Sequence, residues 1–452
     1  MRFHHRYQGH FQRKTRSVFQ AAGDYLKGLM QAKRKNMERM EEAVVEADEQ
    51  RLQHMLTDSD WEHRAVLDQV ALEANGWLGG TQDSCFLLDE SGFAKKGKHS
   101  VGVARQWNGR QGKVDNCQVG VFGALGKGHL ASLTDLRLYL PKGWVDNPAR
   151  CRKAGIPERE RCRRSKVELA LEMVRHQREL SVQFAWVGAD GGYGKEPAFL
   201  RGLDAMGEVF VVDVHKDQRI YVHDPQPQVP PRDGRQRGRP RSRLQAQTNA
   251  QRVDEWAATL APSDWQRIAL RDSTQGRLEV EVVHRRVWLW DGEEKQAHHW
   301  HLIVRREIDS PQTLKYTLSN AEAELPTHRL AQMQAQRFWV ERAFQEAKSH
   351  CGMGDYQARK WSAWHHHMTL VAMSLLFMLE ERILQKDSYP LLSCSDIETL
   401  LRTTLPRRDL DREEVIRQME KRHHKRLAAT EAEYRKQKLP MPETIGAVNL
   451  TK

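Results

Sequence analysis

A mixed α/β fold, one large sheet flanked by helices, is what the hydrophobic periodicity of this 452-residue chain predicts. Three observations carry that reading. Apolar residues recur at helical spacing up to about residue 80; from residue 84 they gather in short runs punctuated by Gly and Asn; from about residue 166 helical and strand patterns alternate. Several strands followed by helix–strand alternation is the pattern of a sheet of the RNase H type.

Residues 1–80 read as a helical DNA-binding domain. Apolar clusters such as Tyr25-Leu26 with Leu29-Met30, and Leu52 with Met55-Leu56, are spaced for helix faces. The first 40 residues hold ten Lys or Arg against two acids, and residues 41–50 then carry five acids. A basic arm followed by an acidic face suits nucleic acid; a solvated helix pair is the plainer alternative. Residues 81–223 form the first part of the core. Cys85 to Leu88, Val101 to Ala104, Gln118 to Leu125 and Leu133 to Leu140 read as strands. A helix over Lys166 to Leu180, a strand ending at Asp190, a helix near Pro197 to Met206 and a strand over Val209 to Val214 follow.

Residues 224–325 break the pattern as an Arg/Pro linker and a β-rich insertion, with six arginines between 232 and 243 and strand-like runs over 277–304. Arg237-Gly238-Arg239-Pro240-Arg241 has the form of an AT-hook core, which would place Arg237 and Arg239 in a narrow minor groove; nonspecific phosphate contact from a solvated linker is the simpler reading. Residues 326–385 turn helical after Thr327 and complete the core, and residues 386–452 form a basic helical tail.

The formal charge of +12 favours a polyanionic partner. The longest apolar stretch, Met368 to Leu379, is too short to span a bilayer, so no membrane partner and a cytoplasmic, nucleoid-associated residence are expected. The six cysteines include no CxxC pair and read as reduced.

Against this basic background three acids stand out. Asp89 ends the run Cys85-Phe86-Leu87-Leu88, and Asp190 ends Trp186-Val187-Gly188-Ala189. Glu341 lies in a helical segment where Arg337, Phe344 and Lys348 share its face. Two strand-end aspartates and a helix glutamate form a ligand set for two Mg²⁺ ions roughly 4 Å apart in phosphodiester cleavage, with Mn²⁺ as a substitute. Three carboxylates crowded without metal repel, so at least one is expected to hold its proton unusually high. Taken singly, each acid has a plainer role: a strand-end cap, a turn residue, a surface salt-bridge partner. Glu90 could also take the ligand role in place of Asp89, since strand alternation lets only one of them face the site. Lys95, Lys96 and Lys98, with His99, follow the first aspartate closely and are placed to clamp a DNA backbone.

These motifs resemble the insertion-sequence transposases of the DDE superfamily. The likeness rests on Leu88-Asp89-Glu90-Ser91-Gly92-Phe93-Ala94-Lys95-Lys96-Gly97 and its continuation to Val121, on Ala189-Asp190-Gly191-Gly192-Tyr193-Gly194, on the R-x3-E-x6-K pattern of Arg337, Glu341 and Lys348, and on the helix-like stretch Tyr356 to Leu370. The resemblance implies that Asp89, Asp190 and Glu341 are metal ligands and that Arg337 and Lys348 contact DNA phosphates near the scissile bond. It implies cutting at transposon terminal inverted repeats, joining of the freed 3′-hydroxyl to target DNA, and a homodimer in the DNA complex. Gln334 departs from the tyrosine usual at that position. A catalytically silent DNA-binding repressor and a nuclease without strand transfer are the alternatives. The clusters His298-His299-Trp300-His301 and His365-His366-His367 read as surface or core histidines, because no Cys or carboxylate completes a zinc set around them.

Overall fold

The computed structural model describes residues 2–13, 16–230, 242–273, 276–357 and 359–442. Arg237 and Arg239 lie outside the described residues. The N-terminal part packs four helices: α1 (Phe19–Gln31), α2 (Met37–Ala43), α3 (Glu49–Thr57) and α4 (His63–Leu78). Asn36 caps α2 by accepting from the Arg39 amide, and Asp48 caps α3 by accepting from the Arg51 amide.

The core sheet has ten strands. β1 (Ser84–Ala94) is central. The 15-residue strand β3 (Lys113–Lys127) pairs antiparallel with it, and the far edge of β3 carries β2 (Ala104–Asn108) and then β4 (Leu130–Leu138). On its other side β1 pairs parallel with β5 (Trp186–Ala189), which pairs parallel with β6 (Phe210–Val214). Helix α5 (Lys166–Glu179), opened by a capping box between Ser165 and Glu168, makes the crossover to β5. The short α6 (Gly191–Gly194) and α7 (Pro197–Ala205) lead to β6. This is an RNase H-like mixed sheet: the antiparallel strands β1 to β4 are joined through β1 to the parallel β5 and β6.

The inserted strands β7 (Gln266–Ser273), β8 (Gly276–Leu289), β9 (His298–Glu307) and β10 (Ser310–Ser319) prolong that same sheet, with β10 antiparallel to β6. Helix α8 (Thr327–Gln336) covers one face of them through Leu330 and Ala331, which pack with Ile268, Val280, Val282 and Ile303. The chain bends at Arg337 into α9 (Phe338–His350), whose Val340, Ala343, Phe344 and Ala347 are buried. After α10 (Trp361–Leu384) and α11 (Cys394–Thr404), the tail helix α12 (Arg412–Gln437) returns to the N-terminal helices. There Lys421 binds Glu41 at 2.5 Å, Arg422 lies 3.6 Å from Glu42, and Lys425 engages Glu49 and Glu38. Glu41, Glu42 and Glu49 of the acidic run at 41–50 are thus paired with this chain's own cations.

Two expectations fail. Val101 to Ala104 is not a strand: Gly102 turns the chain at φ +72° and the ladder starts only at Ala104. Val101 and Val103 are buried as expected of apolar residues, but in a turn, where the Val101 amide donates to the Arg359 carbonyl. Nor is residue 327 to about 385 one helical stretch: α9 ends at His350, and the described residues between it and Trp361 are non-helical. Gly352 turns it there at φ +70°, and Tyr356, buried in this segment, donates to the Gln118 side chain. No helix among the described residues is long and apolar enough to cross a membrane.

Candidate active site

Register sets the geometry. Leu88 on β1 pairs with Ala189 on β5, and Ala189 pairs with Val212 on β6. The next residues, Asp89 in the middle of β1, Asp190 just past β5 and Asp213 near the end of β6, therefore stand in one row across three parallel strands, on one face, with neighbouring strands about 4.8 Å apart. Asp190 also caps α6, accepting from the Gly192 amide at 2.9 Å. Gly194 lets α6 sit directly on β6, since an added Cβ would collide with the Asp213 carbonyl.

Helix α9 delivers the fourth acid. Phe344 stacks edge-on over Phe122 at 5.4 Å, and Phe122 is the cross-strand neighbour of Asp89. Burying that ring contributes on the order of 2 kcal/mol and fixes the helix over the row. Glu341, about one turn earlier, has a side chain 49% exposed and accepts an ion pair from Arg337 at 3.1 Å. Arg337 Nε donates to Asp213 at 2.9 Å. Thr317 on β10 donates to the other Asp213 oxygen at 2.5 Å, and Gln334, buried on α8, donates to Thr317.

The electrostatics follow from this arrangement. Burial is the largest influence on the Asp89 carboxyl and, with the neighbouring Asp190 charge, raises its pKa to about 7; the Glu90 amide and Arg337 oppose the rise. Arg337 loses some basicity to burial, but Asp213, Glu341, Asp89 and Asp190 outweigh that loss and raise its pKa. One guanidinium is thus the common neighbour of four carboxylates. Beneath them Tyr193 is buried with no hydrogen-bond partner for its hydroxyl; burial first, then the charges of Glu90, Asp89 and Asp190, push its pKa well up. Glu90 is held by Lys166 at 2.5 Å.

The structure therefore brings together Asp89, Asp190, Glu341 and Arg337. Lys348 lies one face-repeat along α9, with its ammonium 5.5 Å from the Phe344 ring centre. Lys95 is half-buried: its ammonium lies 3.8 Å over the Tyr356 ring and donates to the Tyr356 carbonyl, and burial lowers its pKa to about 8. Lys96 and Lys98 are exposed. Sequence reasoning missed Asp213, although Phe210-Val211-Val212-Asp213 repeats the signature of an apolar run closed by aspartate. It also missed Tyr193 and Thr317. The histidine triplet of α10 is core: His365, His366 and His367 donate to or accept from buried backbone and Tyr25, and burial lowers their pKa values to about 3, 4 and 3.

Among the described residues no three His, Cys, Asp or Glu side chains stand grouped closely enough to hold a metal ion as they are. Two hard carboxylates side by side, one with its pKa raised by burial and by the charge of the other, nevertheless fit a divalent cation. Glu341, close enough to raise the Asp89 pKa further, is the third oxygen donor available to them.

Residues 6–277 match the family described as DDE superfamily endonuclease. The match takes in Asp89, Asp190 and Asp213 and stops before Glu341. A protein of Microchaete diplosiphon named "Probable transposase for insertion sequence element IS701" is 22% identical over 326 residues, covering 72% of this chain and 73% of that protein.

Proposed function

The chain belongs to the DDE superfamily endonucleases, and from that premise we propose that it is an insertion-sequence transposase which cuts DNA at transposon ends and joins the freed 3′-hydroxyl to target DNA. The observation that carries the reading is the shared row of Asp89 and Asp190 beneath an α9 that carries Glu341. In this reading Asp89, Asp190 and Glu341 hold Mg²⁺, or Mn²⁺ in its place, as two ions. Bound there, the cations polarise the phosphodiester and lower the pKa of the attacking water or hydroxyl.

The chain's own residues do the rest. Arg337, fixed by Asp213, which Thr317 holds in turn, partly offsets the carboxylate charge and would offer its guanidinium to a phosphate beside the metal ligands. Gln334 fills the place of the family's usual tyrosine and acts inward, as a support for Thr317. Lys348, Lys96 and Lys98 supply phosphate contacts around the site. A homodimer brings the two transposon ends together.

The test is a nicking and strand-transfer assay on the DNA that borders this chain's own gene, with Mg²⁺ or Mn²⁺. Nicked ends and joined products are expected from the wild type, and neither from Asp190→Ala, which keeps end binding. Full cutting by Asp190→Ala ends the assignment; cutting without joined products reduces the protein to a nuclease.

A further inference from the structure

The face that carries the aspartate row runs on into the inserted strands. Thr317 is the cross-strand neighbour of Asp213, and Ile303 is that of Thr317. Two residues along, Arg305 on β9 and Lys315 on β10 stand directly opposite each other on the same face. Because Tyr316 pairs with Val214, Lys315 lies beyond Asp213 toward the carboxyl ends of the parallel strands, about 7 Å past the acid row.

Two cations facing each other across an antiparallel pair repel. Arg305 is also buried, at 7% exposure. Its one hydrogen bond among the described residues goes to Glu307 at 3.1 Å, on a carboxylate 41% exposed, and its buried Nε has no partner. Its charged neighbours are Glu307, Asp213 and a second cation, Arg337; Asp213 already accepts from Arg337 and Thr317. Lys315 is exposed and in no ion pair among the described residues. A guanidinium this poorly bonded and this deep is costly to keep. An anion seated between the two side chains would satisfy both.

We propose that Arg305 and Lys315, supplied by the inserted strands, bind a backbone phosphate of a DNA strand laid along the acid row. The proposal rests on the DNA-cutting reading above. A phosphodiester fits the pair: the guanidinium fork offers it two N–H donors and the ammonium a point charge. The insertion then has a role besides lengthening the sheet, which is to extend the phosphate track outward from the site.

The experiment is a fluorescence-anisotropy titration of the full chain against a short mixed-sequence duplex in EDTA, repeated over a salt series. Arg305→Gln and Lys315→Gln are each expected to flatten the slope of log affinity against log salt by about one, and the double variant by about two. Glu307→Gln is expected to bind as tightly as wild type or tighter. Unchanged slopes in both single variants overturn the site. Should Arg305→Gln fail to fold, Lys315→Gln, at an exposed position, decides alone. Cleavage by the wild type is scored separately. Cutting with unchanged slopes sinks the phosphate site and leaves the transposase reading; flattened slopes with no cutting do the reverse.

Discussion

Two acid-rich regions sit in this basic chain, and their neighbours treat them differently. On α2 and α3, Glu38, Glu41, Glu42 and Glu49 face Lys421, Arg422 and Lys425 of the tail helix, nearly charge for charge. Across β1, β5 and β6, with α9 above, four carboxylates share Arg337 as their common cation. With Arg39, which pairs with Glu42 at 2.5 Å, the first arrangement is neutral, and it holds two parts of the chain together. The second raises the Asp89 pKa to about 7, through burial first and the neighbouring Asp190 charge next, with Arg337 too little to offset them. The acids are neutralised where they hold two parts of the chain together and left short of cations along the row, a crowding that the proposed metal site would relieve.

The sharpest way to break this contrast is Asp190→Asn. It should lower metal-dependent nicking by more than about 10³-fold while leaving thermal stability near wild type; a calorimetric scan beside the nicking assay checks both. Arg337→Met should lower cutting and also destabilise by about 3 kcal/mol, since Asp213 is left without its main cation. Adding Asp213→Asn should restore most of that stability in urea titrations and none of the cutting. Restored cutting would mean that Arg337 serves the fold alone.

The third prediction concerns pH. Folding raises the Asp89 pKa from an ordinary 3.8 to about 7, so the protonated form is favoured in the native state. The group costs nothing below the unfolded value, and its penalty grows as pH rises from about 4 to about 7. Asp89→Asn in EDTA should therefore gain melting temperature over wild type through that window and level off above it. Mg²⁺ should erase the difference by stabilising the wild type. A flat difference across pH would remove the charge crowding on which the contrast depends. The smallest effect belongs to the neutral region: Lys421→Gln and Lys425→Gln should each cost under about 1 kcal/mol in denaturant midpoints and leave cutting unchanged.

Much of this was legible in the sequence, for reasons specific to each element. β1 and β5 announce themselves because a buried strand needs an unbroken apolar run, and the aspartates show because each ends one. α9 is legible from its 3.6-residue spacing. Asp213 escaped because significance was granted to acids that match a motif, and its role comes only from register: Val212 must pair with Ala189 before Asp213 can join the row. Arg305 was silent for the same reason, as nothing local in Val304-Arg305-Arg306 shows which arginine turns inward. Val101 and Val103 misled because burial by long-range contact looks like a strand run when only hydrophobicity is read.

The position of Glu341 has a consequence for how the protein comes into being. Four strands must be synthesised and added to the sheet edge after Asp213 before the ribosome reaches the helix that carries the last acid. Nascent chains and premature stops thus carry the aspartate pair without its third oxygen donor. In the proposed reading such fragments carry an incomplete site, and the complete one arrives only late in translation.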